Sequence, residues 1–423
     1  MVLQRSALDR AVDEAQPRLT DLAIKLHDNP ELAYGEHRAC AWIAELVESA
    51  GVPVERSLGG VATAFRARVG SGAGPRIAIL AEYDALPEIG HACGHNLIAA
   101  GAVGAFLALA RHASELSGTV ELVGTPAEEG GGGKIRLLQA GAFEGVDVAM
   151  MYHPYDRDIL AHPALATTRV TFTFAGKPAH AAIAPWDGQS ALTACLETFR
   201  LIDSQRVHFR DGVRVHGIVS DGGQAVNVIP ERAECVFLVR APTLAELERV
   251  YGIVERCARG AALACGVEIG VAARAGYKNM QNNLTLARRF GAALEALGRK
   301  PRERDPSVGA GSTDMGDVSH AVPSIHPYLA ICDEGETLCH QRAFAACARS
   351  ERGLETARVA AKALARTTLD LLEDGALLGA VRREFTQGAS ALCGARRLAE
   401  RAQWGYCRAC LLTGGLQRAL PKR

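Results

Sequence analysis

The sequence has no surplus of either charge: 47 lysines and arginines stand against 47 aspartates and glutamates. A chain without an overall basic field offers little to nucleic-acid phosphates or to an anionic membrane surface, so neither is expected as a partner. It also lacks a spanning hydrophobic run. The longest apolar stretch, Leu97 to Ala110, is interrupted by Gly101 and Gly104 and falls short of the roughly 20 residues a membrane helix requires; it reads as a buried helix. The N-terminus mixes Arg5, Asp9, Arg10, Asp13 and Glu14 into an amphipathic pattern without the apolar core of a secretory signal. The twelve cysteines are scattered singly, without the spacing of a disulfide framework, which fits a reducing, cytoplasmic setting. Gly130-Gly131-Gly132-Gly133 is not a phosphate loop, because the following Gly-Lys-Ser/Thr element is missing. Cys407-Arg408-Ala409-Cys410 lacks the second pair of a structural zinc site.

What the chain does have is length for two domains and, at 48% hydrophobic residues, material for a sizeable core. Helical periodicity over 7–27 and 36–50 leads into alternating strand-like and helix-like segments as far as about Pro163, which predicts an α/β fold with a mainly parallel sheet. From Thr168 the order becomes strand, helix, strand, strand, helix, strand, which suggests an inserted ferredoxin-like α+β unit ending near Tyr277. The first domain then resumes and ends in a long helix over 350–373. The expected division is a catalytic domain in two parts, 1–167 and 278–374, an inserted lid or dimerisation domain over 168–277, and a tail over 375–423. That tail carries nine basic and two acidic residues, which leaves 38 against 45 in the body, a net of −7. It shows no persistent period and is expected to be dispensable for folding.

Three apolar runs each end in groups that bind cations: Glu82 and Asp84 after residues 76–80, Glu128 and Glu129 after 120–123, and His153 after 148–151. Cys93-Gly94-His95 lies between the first two. Ligands of an open α/β sheet bind in the crevice beyond the carboxyl ends of its strands, so this pattern predicts a metal-dependent enzyme. Adjacent carboxylates repel and rarely pack together. One of Glu128 and Glu129 can hold a cation while its neighbour takes a proton from the attacking water. Cys93, His95, Glu129, His153 and His340 offer donors suited to zinc, with manganese as the second choice. Five ligands are too many for one open ion and about right for two that share a bridge.

Several motifs occur in order between about residues 20 and 373: His27-Asp28-Asn29-Pro30-Glu31-Leu32, Ala81-Glu82-Tyr83-Asp84-Ala85-Leu86-Pro87, His91-Ala92-Cys93-Gly94-His95-Asn96, Thr125-Pro126-Ala127-Glu128-Glu129-Gly130 and Gly176-Lys177-Pro178-Ala179-His180-Ala181. Asn227-Val228-Ile229-Pro230, Gly311-Ser312-Thr313-Asp314 and His340 continue the series. The set resembles metallopeptidase family 20, amidohydrolase branch. The resemblance implies a zinc-peptidase-type catalytic domain and two divalent metal ions held by Cys93, His95, Glu129, His153 and His340. It implies Glu128 as general base, Asp84 as support for a ligand, and His180 as an oxyanion-stabilising group that reaches a dimer partner's site. Asn227 and Arg240 match positions associated with the substrate carboxylate. Ser190 departs from the Asn usual before Ala191-Leu192, and Leu338-Cys339-His340-Gln341-Arg342 departs from the usual Asn-His-Thr, with the ligand retained.

Within that family, Ser312-Thr313-Asp314-Met315-Gly316 and Val322-Pro323-Ser324-Ile325-His326-Pro327-Tyr328 are most similar to dipeptidases of the β-alanyl-lysine or Xaa-Arg type. The expected reaction is hydrolysis of the amide bond of a dipeptide or N-acyl amino acid, with a basic C-terminal residue leaving. Hydrolysis of p-aminobenzoyl-glutamate or of amino-acid conjugates is the alternative, and a catalytically silent ligand-binding homologue is a third reading. Asp314 and Asp317 are the candidates to meet a basic leaving side chain, and His326 is read as a structural residue. A homodimer is expected through the inserted unit.

Overall fold

The computed structural model describes residues 3–388. The strands Arg76–Ala81 and Thr119–Gly124 are buried along almost their whole length, as runs covered on both faces must be. They form the middle of a six-stranded sheet whose order is Val54–Arg56, Phe65–Gly70, Thr119–Gly124, Arg76–Ala81, Val148–Met150 and Ser324–Ile325. The last four run parallel. The first two are antiparallel additions at one edge. Because the three central strands point the same way, the residues following them, including Glu82, Asp84, Glu128, Glu129 and His153, emerge at one end of the sheet.

Behind that end lies the helix His95–Ala110, buried along nearly all of its length and packed against the helices Arg5–Asp28 and Glu351–Glu373. The two glycines that interrupt its apolar run are sites of close approach. A Cβ at Gly101 would meet the Tyr152 ring at 2.6 Å, and one at Gly104 would meet Leu19 at 2.7 Å. The terminal helices are joined by ion pairs of Asp9 with Arg366 and of Asp13 with Arg358 and Lys362, while Asp370 binds both Arg5 and Arg289.

A second sheet is antiparallel throughout, in the order Glu268–Ala275, Ala166–Ala175, Arg232–Ala241, Arg214–Asp221. The helices Ala191–Gln205 and Leu244–Cys265 cover one of its faces, over a separate core that includes Phe172, Phe174 and Phe237. This is the ferredoxin-like unit the sequence order predicts. The alternate residues Thr167, Arg169, Leu238 and Arg240 belong to the opposite face and line clefts shared with the larger sheet's loops.

The described part of the tail differs from expectation. Residues 375–388 are helical, and Leu378 and Val381 are buried in the main core. The Glu384 carboxylate accepts from the backbone N–H groups of Leu284 and Thr285 at 2.7 and 2.9 Å, satisfying free donors at the start of the helix Leu284–Glu295. Two buried aliphatic side chains and one capping carboxylate are too few to make a visible period. The Cys407–Cys410 pair lies outside the described residues. Among the described residues, no helix is long and apolar enough to cross a membrane.

Candidate metal centre and active site

Cys93 sits on the turn into the buried helix, and His95 begins that helix. Glu128 and Glu129 follow the strand Thr119–Gly124 through Ala127, whose φ of +61° is unusual for a residue with a side chain. The buried Glu36 carboxylate holds this turn, accepting from the Ala127 N–H at 2.9 Å. His340, also at positive φ, is tied by its N–H to the Ala92 carbonyl at 2.9 Å. Local strain of this kind persists where surrounding structure over-determines it.

These anchors bring the predicted ligands together. Donor atoms of Cys93, His95 and His153 lie within 4.8 Å of one another, and so do those of Cys93, Glu129 and His340. A third set, His95, Glu128 and Glu129, meets the same limit. The ring orientations suit metal binding: His95 Nδ1 faces Asp84 Oδ1 at 3.0 Å and His153 Nδ1 faces the Pro154 carbonyl at 2.7 Å, which leaves each Nε2 directed elsewhere. His95 Nε2 and Glu129 Oε1 are buried without a hydrogen-bond partner. Polar atoms left in that state are costly unless something else engages them, and a cation between thiol, imidazole and carboxylate would do so. The residues present therefore fit two divalent ions.

Charge is distributed unevenly over the cluster. Burial, reinforced by Glu129, Glu82 and Asp314, pushes the Glu128 carboxyl well above the usual range. For Glu129, burial acts in the same direction, but His340, His95 and Cys93 prevail and hold it low. Burial, with a contribution from His95, lowers His153 to about 4, so its ring is neutral. The two adjacent carboxylates are thus pushed in opposite directions, Glu128 toward higher proton affinity and Glu129 toward lower.

The cluster opens into a cavity of about 600 Å³ between the two sheets, with Arg240 on the wall supplied by the inserted unit. Arg240 donates to Ser312 Oγ at 3.3 Å. Asp84 stands behind the ligands, its second oxygen accepting from the Glu129 N–H at 2.9 Å. His180 and Asn227 are not part of this cavity. They lie side by side on exposed loops, with the Ala181 N–H donating to the Asn227 carbonyl at 3.0 Å. Asp314 is not available either. It is fully buried and bonded to Lys134 Nζ at 2.7 Å, while Glu82 takes the same ammonium at 2.5 Å. Asp317 accepts from the Lys278 N–H at 3.0 Å.

Sequence reading missed Lys134, and with it the pairing that occupies Glu82 and Asp314, because a lysine in a short helix gives no sign of burial. It also missed Tyr277, whose hydroxyl donates to the Glu128 carbonyl at 2.5 Å. His326, read as structural, is buried in the cavity wall 5.3 Å from the His153 ring, and its Nε2 has no partner. The signal for it was its position directly after the strand Ser324–Ile325, at the same end of the sheet as the candidate ligands.

Fold and donor set together define a metal-dependent hydrolase built on a two-part α/β body with an inserted unit. The chain belongs to peptidase family M20/M25/M40, whose pattern it matches over residues 78–367. It is 41% identical over 402 residues to mouse Xaa-Arg dipeptidase, covering 91% of this chain and 92% of that one. The human Xaa-Arg dipeptidase is 37% identical, with 88% and 90% covered. One of the subunits of the p-aminobenzoyl-glutamate hydrolase of Escherichia coli strain K12 is 29% identical, with 90% and 94% covered. Among solved structures, a dinuclear metal-binding M20 peptidase from Bacillus subtilis shares the fold with a TM-score of 0.68 at 23% identity, over 85% of this chain and 99% of that one.

Proposed function

We propose that this chain hydrolyses the amide bond of a dipeptide whose C-terminal residue is basic. The observation that carries the reading is the pair of three-donor sets sharing Cys93, with Glu128 beside them. Cys93, His95 and His153 would hold one ion, and Cys93, Glu129 and His340 the other. The mixed thiol, imidazole and carboxylate donors favour zinc, with manganese second. When bound, such ions make water nucleophilic at neutral pH and polarise the scissile carbonyl. Glu128 takes the proton from the attacking water and returns it to the leaving nitrogen. Its raised proton affinity suits both halves of that transfer. Asp84 orients His95, and Arg240 receives the substrate carboxylate.

The identity to the mouse and human Xaa-Arg dipeptidases supports the basic leaving residue. Glu128 and Glu129 are the only carboxylates lining the cavity among the described residues, so the leaving side chain meets something other than an acid. Tyr155, His162 and Tyr328 form an aromatic wall, with ring centroids 4.7–6.2 Å apart, on which a guanidinium or ammonium group rests by cation–π attraction. The same lack of acid favours p-aminobenzoyl-glutamate as the second reading, since Arg240 suits an acidic leaving residue.

His180 and Asn227 would serve the partner's cavity in a homodimer. The exposed Ile183, Trp186, Val226 and Val228 around them support an interface there. A cytoplasmic setting is supported by the nine described cysteines, all unpaired. The deciding experiment combines metal content by mass spectrometry with amine release from β-alanyl-lysine, an Xaa-Arg dipeptide, an acetylated amino acid and p-aminobenzoyl-glutamate. Two ions per chain and fastest release from the basic dipeptides are expected. A metal-loaded protein inert to both basic dipeptides would refute the assignment.

A further inference from the structure

A second cleft, of about 490 Å³, lies beside the catalytic cavity and shares Thr167, Leu238 and Tyr277 with it. Its charged residues are Arg136, Arg169 and Arg274, and no acidic side chain lines it. Arg169 and Arg274 are directly opposite one another across the antiparallel pair Ala166–Ala175 and Glu268–Ala275. Like charges at opposed positions of a strand pair repel. Elsewhere on this molecule such charges are neutralised locally, as Asp370 does for Arg5 and Arg289. Here no carboxylate of the described residues comes within ion-pair distance of any of the three. Arg136 approaches from the catalytic body, its guanidinium over the Tyr34 ring at 4.1 Å, and faces the same space.

The three guanidinium groups are exposed to solvent, carry no carboxylate partner among the described residues and converge on one cleft of small-molecule size, an arrangement that suits a counter-charge from outside the chain. We propose that this cleft binds a small multivalent oxyanion, with phosphate and carboxylate groups as its two chemical sources. Guanidinium groups present paired donors that match either kind of oxygen. The occupant would lie against Tyr277, whose hydroxyl holds the Glu128 carbonyl, so its presence would be felt at the turn that carries the catalytic carboxylates.

The test uses the full-length, metal-loaded protein, titrated calorimetrically with inorganic phosphate and separately with propane-1,2,3-tricarboxylate. Thermal unfolding is followed in the same solutions against sodium chloride of equal ionic strength. Saturable binding and a rise in Tm of several degrees are expected with at least one anion, and the tighter of the two identifies the source. Arg169→Gln/Arg274→Gln should weaken that binding at least tenfold while leaving metal content unchanged. Arg274→Glu supplies the missing counter-charge internally. It should raise the Tm without anion and abolish the anion-dependent rise. Arg240→Gln, which alters the catalytic cavity instead, should bind the anion as the parent does. Absence of saturable binding, equal binding by the double variant, a lower Tm in Arg274→Glu, or loss of binding only in Arg240→Gln would each overturn the proposal.

Discussion

At the scale of single residues, the adjacent pair Glu128 and Glu129 should separate in function when each is made neutral. A positioned carboxylate that transfers protons is worth roughly 100- to 10,000-fold in rate. Glu128→Gln is therefore expected to lose turnover by about that factor with both metals retained. Glu129→Gln should lose metal first, read by metal titration, with turnover falling as a consequence. A fully metallated Glu128→Gln that turns over normally would contradict the assignment of the base. Glu36, which holds the turn leading to Glu128 and Glu129, offers a pH test. Burial raises its carboxyl to about 7 from an ordinary 4.5, and its Oε2 has no hydrogen-bond partner. A carboxyl whose proton affinity is higher in the fold stabilises the protein fully below its unfolded pKa and ceases to do so as pH rises through the folded value. The parent should thus lose thermal stability between about pH 4.5 and 7 more steeply than Glu36→Gln, which cannot ionise. Parallel Tm profiles for the two proteins across that window would show that Glu36 does not titrate there.

At the scale of elements, the helical segment 375–388 is part of the body. Removing everything after Asp374 takes away Leu378 and Val381, at about 1.5–3 kcal/mol for each fully buried aliphatic side chain, together with the Glu384 cap on the helix Leu284–Glu295. Denaturant unfolding of that truncation should show a stability loss of several kcal/mol, with metal content less affected because no ligand is removed. An unchanged midpoint would restore the reading of the segment as dispensable. The contrast with the rest of the fold is instructive. The strands Arg76–Ala81 and Thr119–Gly124 were legible because each is a mainly apolar run followed by acidic groups, and the inserted unit was legible from its element order. The antiparallel edge formed by Val54–Arg56 and Phe65–Gly70 was not, since pairing direction depends on where the chain turns back rather than on composition. At the site, Cys93, His95, Glu128, Glu129, His153 and His340 could be read from motifs and are gathered in space. The failures concern charge. Lys134 and Asp314 satisfy each other in the interior, and nothing local distinguishes a buried ion pair from two exposed side chains. Asn227 is a different case, because the described residues place it on an exposed loop beside His180 and not among the residues lining the cavity.

At the scale of the whole molecule, the exposed loops with His180 and Asn227 make a prediction about assembly. If they complete the partner's site, mixing inactive His180→Ala with inactive Glu128→Gln subunits should restore part of the activity, since one of the two sites then has an intact base and an intact histidine. No recovery after verified subunit exchange would mean that each chain works alone, and light scattering of a fully active monomer would remove the interface altogether. The body itself is discontinuous in sequence: the largely buried helix His95–Ala110 is enclosed by Arg5–Asp28 from one end of the chain and Glu351–Glu373 from the other, with the whole inserted unit between. This has a consequence during synthesis. A ribosome releases the chain from its N-terminus at about 5–20 residues per second, and units fold as they become complete. The inserted sheet, all of whose strands lie within 166–275, can close while its host is still unfinished. The greasy His95–Ala110 segment meanwhile waits for a helix more than 240 residues downstream. For an interval of roughly ten seconds to a minute, the nascent protein therefore carries one folded domain and an uncovered hydrophobic rod, a form suited to a chaperone that holds exposed apolar helices until translation ends.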